Sequence, residues 1–216
     1  MMTKRPPKDA AELIPDRPTL EKVRAAAKDC QACDLWRLGT QTVFGEGRPR
    51  AQLMLVGEQP GDAEDLAGHP FVGPAGKLLD RALEEAGIVR ADVYVTNVVK
   101  HFKWEPRGKR RIHKKPNARE IAACRPWLDT EIALVKPRAI VCLGATAAQS
   151  LLGRQFKVTA QRGAFVKSSL APLVLATVHP SSILRAPDDE TRREELKRFT
   201  ADLRRVAQAL ASTRQP

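Results

Sequence analysis

Several residues in this chain have the types and positions for acid–base and nucleophilic chemistry. Glu58 follows the apolar run Leu53–Val56 across a turn at Gly57, and His113 closes the basic stretch Lys109-Arg110-Arg111-Ile112-His113. A carboxylate within hydrogen-bond reach of an imidazole fixes its tautomer and stabilises positive charge on the ring. Adjacent Lys and Arg repel a proton from such an imidazole, leaving it neutral and able to act as a nucleophile. The plainer reading of the same stretch is a solvated basic loop that touches phosphates, and of Glu58 a solvated acid in a surface turn. A second group is cysteine. Cys30-x-x-Cys33 has a spacing that lets two side chains reach one ion, whereas Cys124 and Cys142 stand apart with 17 residues between them. Four thiolates suit an iron–sulfur cluster or zinc, and Cys124 and Cys142 also read as small core residues in apolar surroundings.

These residues need elements that bring them together. Apolar runs at Leu53–Val56, Val93–Val95, Ala139–Leu143 and Pro172–Val178 are short enough for strands buried on both faces. Between them lie helical patterns. Thr19 caps LEKVRAAAKD, and Pro74 opens PAGKLLDRALEEAG with Gly87 as its stop. Asn117 caps a helix through Ala133 that contains Pro126, ATAAQSLLG forms a short helix, and Asp188 caps a final amphipathic helix. Alternation of this kind predicts an α/β fold, a three-layer α/β/α arrangement around a central, mainly parallel four-stranded sheet. On that model Glu58, Asn97, the turn at Gly144 and His179 share the carboxyl end of the sheet, where open α/β sheets place their sites. Asp62, Glu64 and Asp65 fall in the loop after the first strand. Residues 153–171 read as a variable segment with a short edge strand over Ala164–Lys167. Residues 1–17, rich in Pro and charge, read as a flexible arm ahead of a single domain over 18–216.

The chain has 216 residues and a formal net charge of +12. Such a surplus of Lys and Arg favours a polyanionic partner, nucleic acid before an anionic membrane. No apolar run is long enough to span a bilayer, and the N-terminal MMTKRPPKDAAELIPD lacks the apolar core of a secretory signal. The expectation is the cytosol, where thiols stay reduced and a disulfide framework does not form.

Taken together, GEQPGDAED at 57–65, KRRIH at 109–113, HPSS at 179–182 and the four cysteines resemble a uracil-DNA glycosylase of the iron–sulfur branch, related to family 4. Gln59 and the KRRIH insertion make the UdgX type the nearest match, although Ala63 stands where that type's motif has Gln. The resemblance covers most of Cys30–Arg185. It implies the uracil-DNA glycosylase fold, a [4Fe–4S] cluster on Cys30, Cys33, Cys124 and Cys142, and uracil in DNA as substrate. It further implies that His113 ends covalently bonded to the abasic sugar, with Glu58 as its hydrogen-bond partner. In that scheme His179 donates to the uracil carbonyl where negative charge collects. Asn97 meets the Watson–Crick edge, Phe71 stacks on the flipped base, and Gln59 and Asp62 complete the substrate contacts. Arg185 wedges into the vacated space or grips a phosphate, while Lys109, Arg110 and Arg111 contact the DNA backbone. Single-stranded DNA is the expected preference, since flipping costs least there. A monomer working in the bacterial cytosol or nucleoid is expected. An ordinary multiple-turnover glycosylase and a non-enzymatic iron–sulfur DNA-binding protein are the rival readings.

Overall fold

In the computed structural model, which describes residues 9–212, the four apolar runs form one parallel sheet. The strands of the chain are β1 (Leu53–Gly57), β2 (Val93–Asn97), β3 (Trp104–Arg107), β4 (Arg110–His113), β5 (Ala139–Leu143) and β6 (Leu173–Thr177). The main sheet has the order β2-β1-β5-β6, with Gly57 opposite Asn97 and Leu143 opposite Thr177. Its inner strands are buried along their whole length, which is why they read as unbroken apolar runs rather than alternating ones.

The helices are α1 (Leu20–Ala27), α2 (Asp62–Ala67), α3 (Pro74–Glu85), α4 (Ala118–Val135), α5 (Ala145–Leu152), α6 (Val158–Gln161), α7 (Pro180–Leu184) and α8 (Asp189–Ser212). Alternate side chains of the sheet divide between two cores. Met54, Val56, Tyr94, Ile140 and Cys142 pack with Val23, Trp127, Leu128 and Ala147 of α1, α4 and α5. Leu55, Val95, Val141 and Leu175 pack with Leu79, Leu83, Phe199 and Leu203 of α3 and α8. The result is the three-layer arrangement expected. The chain leaves β1 for β2 on one side and returns to β5 on the other, so a crevice opens at the carboxyl ends of β1 and β5.

Three local expectations change. Asp62–Ala67 is helical rather than a loop, with Glu64 and Asp65 buried. The edge strand over Ala164–Lys167 reduces to a single antiparallel bridge between Phe165 and Leu175. Of the expected arm, Asp9 onwards is packed: Asp9 caps a 3-10 turn at Ala10–Leu13, and Ala10 is fully buried against the core. Residues 1–8 of that arm lie outside the described residues. Among the described residues no helix is long and apolar enough to cross a membrane.

The largest departure is a β-hairpin where the sequence suggests only a basic loop. β3 and β4 pair antiparallel, Trp104 opposite His113, across the two-residue turn Gly108-Lys109. Gly108 has φ +59, the left-handed value that the first position of a II′ turn requires. The hairpin stands apart from the main sheet and delivers His113, its last residue, toward the crevice.

Candidate functional site

The crevice is about 580 Å³, in the range of sites for small ligands, and Glu58, Gln59, Phe71, Asn97, His113, Thr146, His179 and Arg185 line it. They arrive from several separate elements. β1 ends at Gly57 and hands over Glu58, and β2 ends at Asn97. The hairpin brings His113, the first turn of α5 brings Thr146, and the N-cap of α7 is His179.

Glu58 is the centre of the polar contacts. Its Oε1 lies 3.3 Å from His113 Nε2, and its Oε2 accepts a hydrogen bond from the Thr146 hydroxyl. Burial pushes the Glu58 carboxyl up. The hydrogen bonds from His113 and Thr146, with the charges of His113 and His179, outweigh burial and hold it below the usual carboxylate range. Glu58 is thus an anion at neutral pH. Burial does the opposite to His179, pushing it down to about 4 despite Glu58, so its ring is neutral. The Ser181 backbone N–H donates to His179 Nδ1 at 3.2 Å, which places the ring proton on Nε2 and leaves a donor for the crevice.

Asn97 Oδ1 is buried without a hydrogen-bond partner. A buried amide oxygen left open at a crevice wall is a group waiting for a donor. Phe71 stacks on the His179 ring, with centroids 6.1 Å apart and planes at 27°. Its backbone is left-handed at φ 59, a strained conformation for a bulky residue that neighbouring packing must hold in place. Gly57 and Gly76 make the room. A Cβ on Gly76 would fall against the Phe71 carbonyl, and one on Gly57 would lie 2.3 Å from Asn97 Oδ1 and 2.8 Å from Phe71 Cζ. Gly57→Ala therefore displaces both the amide and the aromatic platform. We expect it to lower turnover at this site about 100-fold while the protein stays folded, checked by a single-turnover assay beside circular dichroism.

The hairpin is held by three clasps. The Gln59 amide donates to Lys103 O at 3.2 Å and Lys114 O at 3.0 Å, and accepts from Lys103 N. One side chain thereby ties the two ends of the hairpin to the end of β1. Arg111 turns away from solvent and pairs with Asp62 at 2.5 Å and Asp65 at 2.6 Å, beneath the rings of Phe102 and Trp104. Trp104 donates its indole N–H to Leu38 O. Two residues expected to contact DNA are engaged with each other here. Asp62 does not line the crevice, because its carboxylate is engaged by Arg111. Arg111 is not a free phosphate contact, because two carboxylates match its charge. Lys109 and Arg110 remain exposed on the hairpin turn, and Arg185 is exposed at the rim of the crevice.

The four cysteines are all free thiols. The charge of Cys30 bears on Cys33 and Cys124, Trp127 donates to Cys30 Sγ, and the Lys100 amide donates to Cys124 Sγ. Burial pushes the Cys124 thiol up to about 12. Cys142 lies on β5 between Val56 and Ala176, and burial alone pushes it up to about 12. Among the described residues no group of three or more His, Cys, Asp or Glu is arranged to hold a metal. Cys30, Cys124 and Cys142 belong to the same core on this face of the sheet, and Cys33 packs against it.

Three features of the site escape the sequence. Thr146 is one. Glu64 is another, its carboxylate accepting from the backbone amides of Gly61 and Gly73 and so shaping the turn that carries Phe71. The third is a buried pair beneath Asn97. Lys100 Nζ donates to the Asn97 carbonyl at 2.8 Å and to Glu131 at 2.5 Å. A hydroxyl two residues past a strand-end glycine, as in Gly144-Ala145-Thr146, is the signal that could have pointed to the first.

A parallel sheet with acid, amide and imidazole at its strand ends defines a class, and comparison with known proteins gives it a family. Residues 44–204 match the uracil DNA glycosylase superfamily, and the chain belongs to it. Similar proteins include the type-4 uracil-DNA glycosylase of Thermotoga maritima, 41% identical over 175 residues, covering 81% of this chain and 88% of the relative. That of Pyrobaculum aerophilum is 39% identical, with 78% and 86% covered. That of Archaeoglobus fulgidus is 34% identical over 209 residues, with 92% and 96% covered.

Proposed function

We propose that this protein excises uracil from DNA and stays bonded to the abasic sugar through His113, in the manner of the UdgX type. The observation that carries the reading is the contact between His113 and Glu58 across a crevice that also holds Asn97 and His179. With uracil in place, Asn97 Oδ1 accepts the N3–H and its amide N–H faces O4. Cytosine, which presents an acceptor and an amino group there, is refused. The N1–C1′ bond breaks with its electrons leaving on uracil, and His179 Nε2–H stabilises the charge that spreads to O2. The lone pair of the His113 ring closes on C1′, and the resulting cation is shared with Glu58. The product is an N–C bond whose leaving group is poor at neutral pH, so it persists.

The target base must leave its stack, which favours single-stranded DNA. Lys109 and Arg110 meet phosphates beside the crevice in this reading, with Arg185 at its rim. No step in this scheme runs through a metal centre.

A second reading is a multiple-turnover glycosylase in which water takes the place of His113. The relatives' shared name, type-4 uracil-DNA glycosylase, favours it. Incubation with a labelled uracil-containing oligonucleotide separates the two. A band that survives SDS and heat, and requires uracil, is expected; abasic product without that band leaves the second reading.

A further inference from the structure

We infer that Thr146 is a positioning residue that holds Glu58 in the orientation and the ionised state the reaction uses. The inference rests on the glycosylase reading of the crevice but not on covalent capture. Thr146 is 4% exposed and lies in the first turn of α5, after Gly144 at φ 91. Its hydroxyl donates to Glu58 Oε2, and the opposite oxygen, Oε1, is the one that meets His113. A carboxylate has two equivalent oxygens and a side chain free to rotate about two bonds before the carboxyl group. Engaging one oxygen from the α5 side fixes the other toward the hairpin. Without that clasp, Glu58 would be held at its tip only by His113, whose side chain is half exposed.

The groups that face Glu58 from the elements around it are His113 on the hairpin and His179 at the N-cap of α7, with Lys115, Glu64 and Arg185 farther along the crevice wall. Of the side chains that bond Glu58 directly, only His113 titrates, so Thr146 supplies a hydrogen bond that does not weaken as pH changes. It is one of the two side-chain hydrogen bonds that hold the carboxyl down against burial.

Thr146→Val keeps the shape and deletes the donor, while Thr146→Ser keeps the donor and deletes the methyl. Uracil release in single turnover, measured across pH, is the readout. For the wild type, release falls as pH drops through the depressed Glu58 titration. Loss of one hydrogen bond to an ionised carboxylate moves its titration by about one pH unit. The acidic limb in Thr146→Val is therefore expected about one unit higher, and that in Thr146→Ser back at the wild-type position. A uniform fall in rate with an unmoved limb, or a Ser variant that behaves like Val, overturns the inference. Release by the wild type with no SDS-resistant band would defeat the covalent reading and leave this test intact. No release of uracil at all would defeat the glycosylase reading, and the role assigned to Thr146 with it.

Discussion

Replacing His113 with Ser is expected to remove the SDS-resistant protein–DNA band proposed for the wild type and to leave uracil release running. The two outcomes separate because different groups carry them. Departure of uracil depends on the charges that develop as its bond breaks, and those are met by His179 Nε2–H and the Asn97 amide at the base and by the Glu58 carboxylate at the sugar, all of which remain in the variant. Capture of C1′ depends on a nitrogen lone pair, and Ser offers none. Ser also opens the space beside Glu58 Oε1 to a water, which the carboxylate can orient as it did the imidazole. The variant should therefore make free abasic product and turn over. His179→Ala is the counterpart: it removes the donor at the leaving group and is expected to slow release by about 10²–10³, taking the covalent band down with it. A denaturing gel that follows both the shifted band and the cleaved abasic strand reads all of this at once. A band that persists in the Ser variant would put the bond on another residue.

The sheet was legible because its strands are buried on both faces and so appear as plain apolar runs. The same feature placed Glu58, Asn97 and His179 at one end of it. Caps were legible too. Thr19 accepts from Lys22 N, Asn117 from Glu120 N, and Asp188 from Thr191 N, each local enough to be read from spacing. The hairpin was not. Its strands contain Pro106 and three arginines and show no alternation of apolar and polar positions. Pairing there is enforced from outside by Gln59 and by the acids of α2, which lie 46 and 49 residues from Arg111. The one local signal was Gly108 in a two-residue turn. The cysteines show the converse limit. C-x-x-C spacing is a local property, whereas membership of Cys142 depends on which face of β5 it occupies and how far that face lies from Cys30. Cys142 packs in the same core as Cys30 and Cys124, so its apolar context, VCLG, does not set it apart from them.

Removing Glu131 is expected to destabilise the protein by about 3–5 kcal/mol, the cost of leaving a buried charge without its partner. Lys100 and Glu131 are 1% and 0% exposed, and Lys100 donates to Glu131 Oε2, Thr96 Oγ1 and the Asn97 carbonyl. Glu131 also accepts from Tyr94 OH at 2.9 Å, Thr96 Oγ1 and Gly45 N. Burial and the Glu131 charge push the Tyr94 phenol up, so it stays a donor at any working pH. Many buried ion pairs can be exchanged for an apolar pair at little cost, because each charge serves only the other. This one should not. Lys100→Met with Glu131→Leu removes both charges but leaves three neutral donors, from Tyr94, Thr96 and Gly45, with no acceptor, at about 1–3 kcal/mol each. The double variant is therefore expected to recover little of what Glu131→Ala loses, whereas Lys100→Met alone, which keeps the acceptor, should be the mildest of the three. Urea unfolding of the three variants gives the order directly from their midpoints. Recovery of near-native stability in the double variant would show that the pair is only an ion pair. The expected order would show instead that Glu131 is the acceptor around which the end of β2, and with it Asn97, is set.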